Sequence, residues 1–494
     1  MLFLGIDLGS SSVKVSVFDG DSGRCVRSAQ HPEHELEILS PQPGWAEQDP
    51  NTWWHCVQQA CAKVFEHVDP QKINAVGIAY QMHGLVLVDQ QQQVLRPAII
   101  WCDSRAVEYG EQAAQELGEQ YCFEHLLNSP GNFTAAKLRW VQRNEPDIFE
   151  RIDKLMLPGD FIAMKLSGEI NSTATGLSEG TLWDYQQRRP ANELLKHWDI
   201  DTSLLPELVP SIGKQSQVCE AAAKQLGLKA GTAISYRAGD QANNAFSLNV
   251  LQAGEIAATA GTSGVIYGVS DRPLSDTHSR VNTFLHCNDS AAAPRNGVLV
   301  CVNGTGRSFS WLRQTLGEAM PGTKITYPAL NHLAAQVNIG SDGLLFQPFG
   351  NGAERILQNR NPGARLINLD LNRHQLGHWV RATQEGIVFA LNMGFEVLKS
   401  LGGSCDVIRA GKSNMFLSDI FTQAFANTTG AAVELYDTDG AEGAARGAAI
   451  GSGFYASDKE AFAGLQVLST VEPEPQLTQR YASTYAEWRK HLST

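Results

Sequence analysis

Apolar and polar positions alternate along Phe3-Leu-Gly-Ile-Asp-Leu-Gly-Ser-Ser-Ser-Val-Lys-Val-Ser-Val-Phe18, broken by a turn of small residues at Gly9 to Ser12. The period of two predicts strand, tight turn, strand. The pattern returns in Glu255-Ile-Ala-Ala-Thr-Ala-Gly-Thr-Ser-Gly-Val-Ile-Tyr-Gly268. Two hairpins of one kind, each opening about half the chain, predict two domains of related fold, residues 1–247 and 248–494. Between them Ile73 to Ala79 and Gly84 to Val88 read as strands, with Gln90 to Gln93 a turn after the second. Pro50 to Val68 reads as a helix capped by Asp49, with Trp53, Trp54, Val57 and Cys61 on one side. Val380 to Leu401 reads as another helix, Ser469 to Gln476 as a linker, and Tyr481, Tyr485, Trp488 and Leu492 as the packed stripe of a terminal helix. The class is α/β.

Length and composition narrow the possibilities. At 494 residues the chain exceeds one ordinary core, and 43% apolar with 18% charged residues is the balance of a globular enzyme. No stretch approaches the roughly 20 apolar residues of a membrane helix, and the first residues lack the basic segment of a signal peptide. A formal charge of −13 argues against a nucleic-acid partner but permits ATP, whose phosphates backbone N–H groups can hold locally. Nine scattered cysteines without a C-x-x-C pair read as reduced thiols, which with the rest points to a cytoplasmic protein without a membrane partner.

The chemistry concentrates in the hairpin turns. Gly9, Ser10 and Ser11 carry little bulk, so a phosphate can approach their backbone closely. Asp7 ends the incoming strand, where a carboxylate can hold hydrated Mg²⁺, and Lys14 on the outgoing strand can reach a transferring group. Gly261, Thr262 and Ser263 form the matching turn of the second hairpin. Two fragments mislead. Ala410-Gly-Lys-Ser413 lacks the first glycine of a P-loop, having Asp406 there, and Gly304-Thr-Gly306 carries Phe309 where a dinucleotide motif needs its last glycine.

The two turns together resemble the phosphate loops of the actin/Hsp70/sugar-kinase superfamily, and more narrowly the FGGY family of carbohydrate kinases. Gly44-Trp-Ala-Glu-Gln-Asp-Pro-Asn-Thr-Trp-Trp54, Tyr80-Gln-Met-His-Gly84, Trp101-Cys-Asp-Ser-Arg105, Phe133-Thr-Ala-Ala-Lys137, Leu157-Pro-Gly-Asp160 and Ala238-Gly-Asp-Gln-Ala-Asn-Asn244 appear in that family's order. The resemblance implies two ribonuclease H-like domains around a central cleft, with sugar mainly on the first and ATP mainly on the second. It makes Asp240 the catalytic base, the competing role being a plain N-cap. A helix N-terminus there is expected to keep Asp240 ionised at neutral pH. It places Gln81, Met82, His83, Asn132 and Gln241 at the sugar, with Trp101, Asp103 and Arg105 nearby, though Asp103 and Arg105 suit a structural ion pair equally.

Gly304, Gly411 and Asn414 join the turn residues at ATP, and Asp7 with Asp240 would hold Mg²⁺ through water. Asp439 to Ala449 reads as a turn into a small-residue helix near the nucleotide that also packs on the sheet, and Gly352-Ala-Glu-Arg-Ile-Leu357 departs from the family's Gly-Glu-Arg-Thr-Pro-His. The implied activity is ATP-dependent phosphorylation of D-xylulose to its 5-phosphate, since Gln81-Met-His-Gly84 is similar to the signature of members acting on that ketose. L-Ribulose, another ketose or a polyol is the alternative within the family, and an actin- or Hsp70-like ATPase the alternative outside it. A homodimer is compatible with this reading.

Overall fold

The computed structural model describes residues 1–320, 322–402 and 405–492. Two mixed sheets carry the fold, and their strand orders are the same in kind. In the first, Leu2–Leu8 is central, with Val13–Asp19 and then Arg24–His31 antiparallel on one side. Ile73–Tyr80 and Ala233–Gly239 lie parallel on the other, followed by antiparallel Ile212–Gln217. In the second, Ile256–Ala260 takes the central place beside antiparallel Gly264–Ser270, Asn296–Val302 and Asn282–Leu285. Parallel Val407–Gly411 and Ala432–Tyr436 follow on its other side, closed by antiparallel Val467–Val471. The two related domains expected from the repeated hairpin are therefore present.

Strand periodicity sends alternate side chains to opposite layers. Leu4, Ile6 and Leu8 meet Trp53, Val57, Cys61 and Val64 of the helix Pro50–Phe65. Phe3, with Phe18, Ala75, Ala79 and Tyr236, meets Ala444, Ala445 and Ala448. The latter alanines belong to Gly440–Gly451, a helix from late in the chain that lies on the first sheet. Its approach is close enough that a Cβ on Gly5 would lie 1.8 Å from the Ala441 carbonyl oxygen, and one on Gly77 2.0 Å from that of Ala444. Only glycine fits beneath that backbone. The second core gathers on the 25-residue helix Leu376–Ser400 and on the terminal helix Pro475–Lys490, which buries Tyr481, Tyr485 and Trp488 of the expected stripe, while Leu492 lies past the helix end and is partly buried. Trp488 Nε1 donates to the Phe346 carbonyl at 2.7 Å.

Several boundaries differ from expectation, the strand expected over Gly84 to Val88 spanning only Val86–Val88. The first helix stops at Phe65 rather than Val68, because Asp69 precedes a proline and instead caps the short turn Pro70–Lys72. The long helix spans Leu376–Ser400 rather than Val380 to Leu401, its N-terminus fixed by the Gln375 and His378 capping pair. Ser469, Thr470 and Val471 are no linker: they pair with Leu435, Glu434 and Val433 at the sheet edge, and Pro475 already starts the last helix. The glutamates and prolines concealed a β-branched edge strand.

Candidate active site

A cleft of about 580 Å³ opens between the domains, lined by both hairpin turns and by the end of the strand that delivers Asp240. In the first hairpin Asp7 lies directly across from Lys14, and Gly9 N–H closes the turn onto the Ser12 carbonyl at 3.0 Å. Gln48 ties that turn down, its amide donating to the Ser10 carbonyl at 2.7 Å while its oxygen accepts from Trp53 Nε1 at 3.0 Å. The loop's position is thus set from the adjacent helix.

Lys14 is not free in the cleft. Its Nζ sits 2.5 Å from Asp439 Oδ2, and Asp439 caps the helix Gly440–Gly451 through Glu442 N–H. Asp7 faces that same helix start, where a Cβ on Gly440 would fall 2.2 Å from Asp7 Oδ2. Burial, with Asp439 adding repulsion and Lys14 opposing it, pushes the Asp7 carboxyl up to about 6.

Asp240 is the first residue inside the helix Asp240–Ser247, not its cap; Gly239 takes the cap position, without a side-chain capping bond. Burial and then the neighbouring Asp7 raise its pKa to about 7, against hydrogen bonds from nearby N–H groups. The expectation that the helix terminus alone keeps Asp240 fully ionised is corrected, since desolvation outweighs the dipole.

Elsewhere in the cleft, His83 holds a left-handed backbone (φ 62°) and its Nδ1 lies 2.7 Å from the Glu179 carbonyl. A carbonyl only accepts, so Nδ1 carries the proton and Nε2 is left as an acceptor. Burial drives the imidazole pKa down to about 3, keeping it neutral. Phe133 and Phe284 wall the ring at 4.9 and 5.2 Å, and Met82 joins the same apolar cluster. Gln81 is buried against Gln48 at 3.3 Å and leaves its Oε1 without a partner. Gln241 and the half-exposed Trp101 complete this wall, Trp101 Nε1 standing 3.4 Å from Ser10 Oγ.

Asp103 and Arg105 do not line the cleft. They form a buried ion pair at 2.6 Å, with Arg105 also bonded to Glu47 and stacked 3.8 Å above the Trp45 ring, so the structural alternative is the one observed. Asn132 also lies outside the lining, with its Oδ1 buried and unpartnered.

A second cavity of about 310 Å³ receives Gly261, Thr262 and Asn414, walled by the stacked rings of Phe309 and Tyr327, whose centroids are 5.3 Å apart. An aromatic wall with the Asn331 and Asn414 amides beside it suits a purine base. Ser263 faces the larger cleft instead. Gly304 and Gly411 line neither cavity. Gly304 starts the helix Thr305–Ala319 where a Cβ would meet the Pro348 carbonyl at 1.5 Å, and Gly411 ends a strand. Packing thus requires the glycine at position 304, whereas a Cβ on Gly411 would make only ordinary contacts, 3.6 Å from Ser413 Oγ and from the Thr438 carbonyl. Asn282, Asn303 and Arg355 were not anticipated in the site, and neither was the pairing of Asp439 with Lys14. The altered Gly352 to Leu357 block was the one local signal for Arg355.

Among the described residues no helix is long and apolar enough to cross a membrane. Residues 2–247 match the N-terminal domain of the FGGY family of carbohydrate kinases and residues 256–456 its C-terminal domain. The chain is 32% identical to the xylulose kinase of Escherichia coli (strain K12) over 91% of its own length and 89% of that protein. It is 27% identical to the xylulose kinase of Bacillus subtilis (strain 168) over 98% and 95% of the respective chains. The crystal structure of xylulose kinase from Rhodospirillum rubrum superposes with a TM-score of 0.87 at 24% identity, covering 100% of this chain and 98% of that one.

Proposed function

The chain belongs to the FGGY family of carbohydrate kinases and is an ATP-dependent sugar phosphotransferase, and from that premise we propose that its acceptor is D-xylulose, phosphorylated at O5. The observation that carries the reading is one cleft in which neutral His83, with Nε2 free to accept from a hydroxyl, stands with Asp240, the Gly9 to Ser12 turn and Ser263 of the second turn. The relatives' shared name, xylulose kinase, supports the choice of ketose. A conformational ATPase, open as a reading of the sequence, gives way to the carbohydrate-kinase family.

In this proposal His83, Gln81 and Gln241 orient the sugar so that its terminal hydroxyl points at Asp240. Asp240, poised near 7, takes the hydroxyl proton as the O5–P bond forms and the bond from γ-phosphorus to the ADP oxygen breaks. Backbone N–H groups of Gly9 to Ser11 and Gly261 to Ser263 stabilise charge on the transferring phosphoryl. The adenine would occupy the cavity lined by Phe309 and Tyr327.

Asp7 and Asp240 fit a divalent cation: both are buried and raised, Asp7 repels Asp240, and the nearby Lys14 is already taken by Asp439. Two carboxylates suit a Mg²⁺ that keeps most of its water. When bound, Mg²⁺ would neutralise charge on the β- and γ-phosphates.

Purified protein with Mg·ATP is expected to release ADP on adding D-xylulose and far less with xylose or other aldoses. A panel of ketoses, aldoses and polyols checks this. Fastest turnover on L-ribulose or a polyol would reassign the acceptor, and no stimulation by any sugar would end the proposal. Asp7→Ala is expected to abolish Mg²⁺-dependent turnover while D-xylulose still binds by calorimetry, because Asp7 lies on the nucleotide side. Equal loss of sugar affinity would make Asp7 a structural residue.

A further inference from the structure

Arg355 is a cation in the cleft that the protein itself does not pair. It opens the short turn Arg355–Leu357 of the second domain, whose Ile356 and Leu357 are buried in that domain's core, so its backbone position is fixed. Among the described residues its guanidinium has no carboxylate within ion-pair distance and no hydrogen bond to the protein. The adjacent Glu354 is not available to it. That carboxylate is buried the other way, accepting from Asn303 N–H at 3.1 and 3.0 Å, and burial raises it to about 7.

What Arg355 approaches instead is the sugar side of the first domain. Its Cζ lies 5.8 Å from the Phe133 ring centroid, its Nη2 would be 3.9 Å from a Cβ on Gly131, and its charge contributes to lowering the His83 pKa. Arg355 lines the large cleft and is absent from the wall of the Phe309–Tyr327 cavity. A guanidinium offers five N–H donors in a fixed fork, and leaving them unsatisfied in a partly desolvated wall is costly. The chemistry that completes it is an array of oxygens held against His83.

We propose that Arg355 is a specificity-determining residue for the acceptor: from the second domain it donates hydrogen bonds to oxygens of a sugar resting on His83 and Phe133 of the first. This rests on the acceptor reading above. The sugar site is then incomplete until the domains approach, and nucleotide, which also engages both, tightens sugar binding by bringing Arg355 in. Every sugar contact expected from the sequence motifs precedes residue 242, so this residue adds the other wall.

The test uses Arg355→Gln and Arg355→Lys in the full chain. Loss of hydrogen bonds from a charged donor predicts a rise of roughly 10- to 100-fold in KM for D-xylulose in Arg355→Gln, with KM for ATP and melting temperature unchanged. Arg355→Lys, which keeps the charge but not the fork, is expected to fall between. Calorimetry with D-xylulose should show tighter binding in the presence of a non-hydrolysable ATP analogue for wild type and no such gain for Arg355→Gln.

A KM for ATP that rises in step would place the guanidinium on the polyphosphate and overturn the assignment. So would an unchanged KM for the sugar. If Arg355→Gln fails to fold, Arg355→Lys with wild-type KM for both substrates overturns it equally. Should wild type prefer another sugar of the panel, the comparison is made on that sugar. Failure of the acceptor reading shows in wild type, and failure of this one only in the variants.

Discussion

Asp240→Asn is expected to lower kcat on the order of 10²-fold or more while the melting temperature holds. Asparagine keeps the volume and can still meet a hydroxyl, yet cannot take its proton. Asp240 sits inside the helix rather than at its cap, and asparagine can still accept from the N–H groups around it. The substitution also removes one of two buried like charges, Asp7 being the other, so stability is expected to stay level or rise. Sugar affinity should fall only moderately. Turnover and thermal melting measured on the same preparation separate the two roles. Near wild-type turnover would move the catalytic assignment elsewhere.

Gly5→Ala is expected to be severely damaging, costing about 3 kcal/mol or more and much of the activity. The added carbon would lie 1.8 Å from the Ala441 carbonyl and 2.6 Å from the Ala445 nitrogen, both backbone atoms of a helix that cannot rotate away. Moving that helix displaces Gly440 from Asp7 and Asp439 from Lys14. Gly317→Ala is the matched control. It lies in the helix Thr305–Ala319 with open space around it, and alanine there is expected to leave stability level or raise it by about 0.5–1 kcal/mol. Denaturant unfolding of both variants checks the contrast. Equal stabilities would mean the first sheet and its covering helix are far more pliable than packed backbone allows.

The parts of the site legible in the sequence are those that local chain geometry creates. The turns at Gly9 to Ser12 and Gly261 to Ser263 need only strand alternation and small residues, and Gln81 to His83 follow a strand directly. What sequence left hidden depends on long-range assembly. Lys14 and Asp439 are 425 positions apart, and nothing local says that the lysine is already paired. Asp240 reads as an ionised helix terminus until the burial around it is known. Asp103 and Arg105 sit two residues apart beside true cleft residues, yet face Glu47 and Trp45 instead. Arg355 enters from the other domain, so its neighbours His83 and Phe133 could not be inferred from its own surroundings in the chain.

The placement of Gly440–Gly451 on the first sheet has a consequence for how the chain comes into being. A ribosome that has delivered residues 1–247 has produced a sheet with one face still open, Phe3, Phe18 and Tyr236 among its bare side chains. The helix that closes it emerges some 200 residues later. The first half therefore lacks the cover of that face through the synthesis of nearly all the second. For the same reason, cutting the chain near residue 248 would separate a sheet from its own cover rather than yield two self-sufficient pieces.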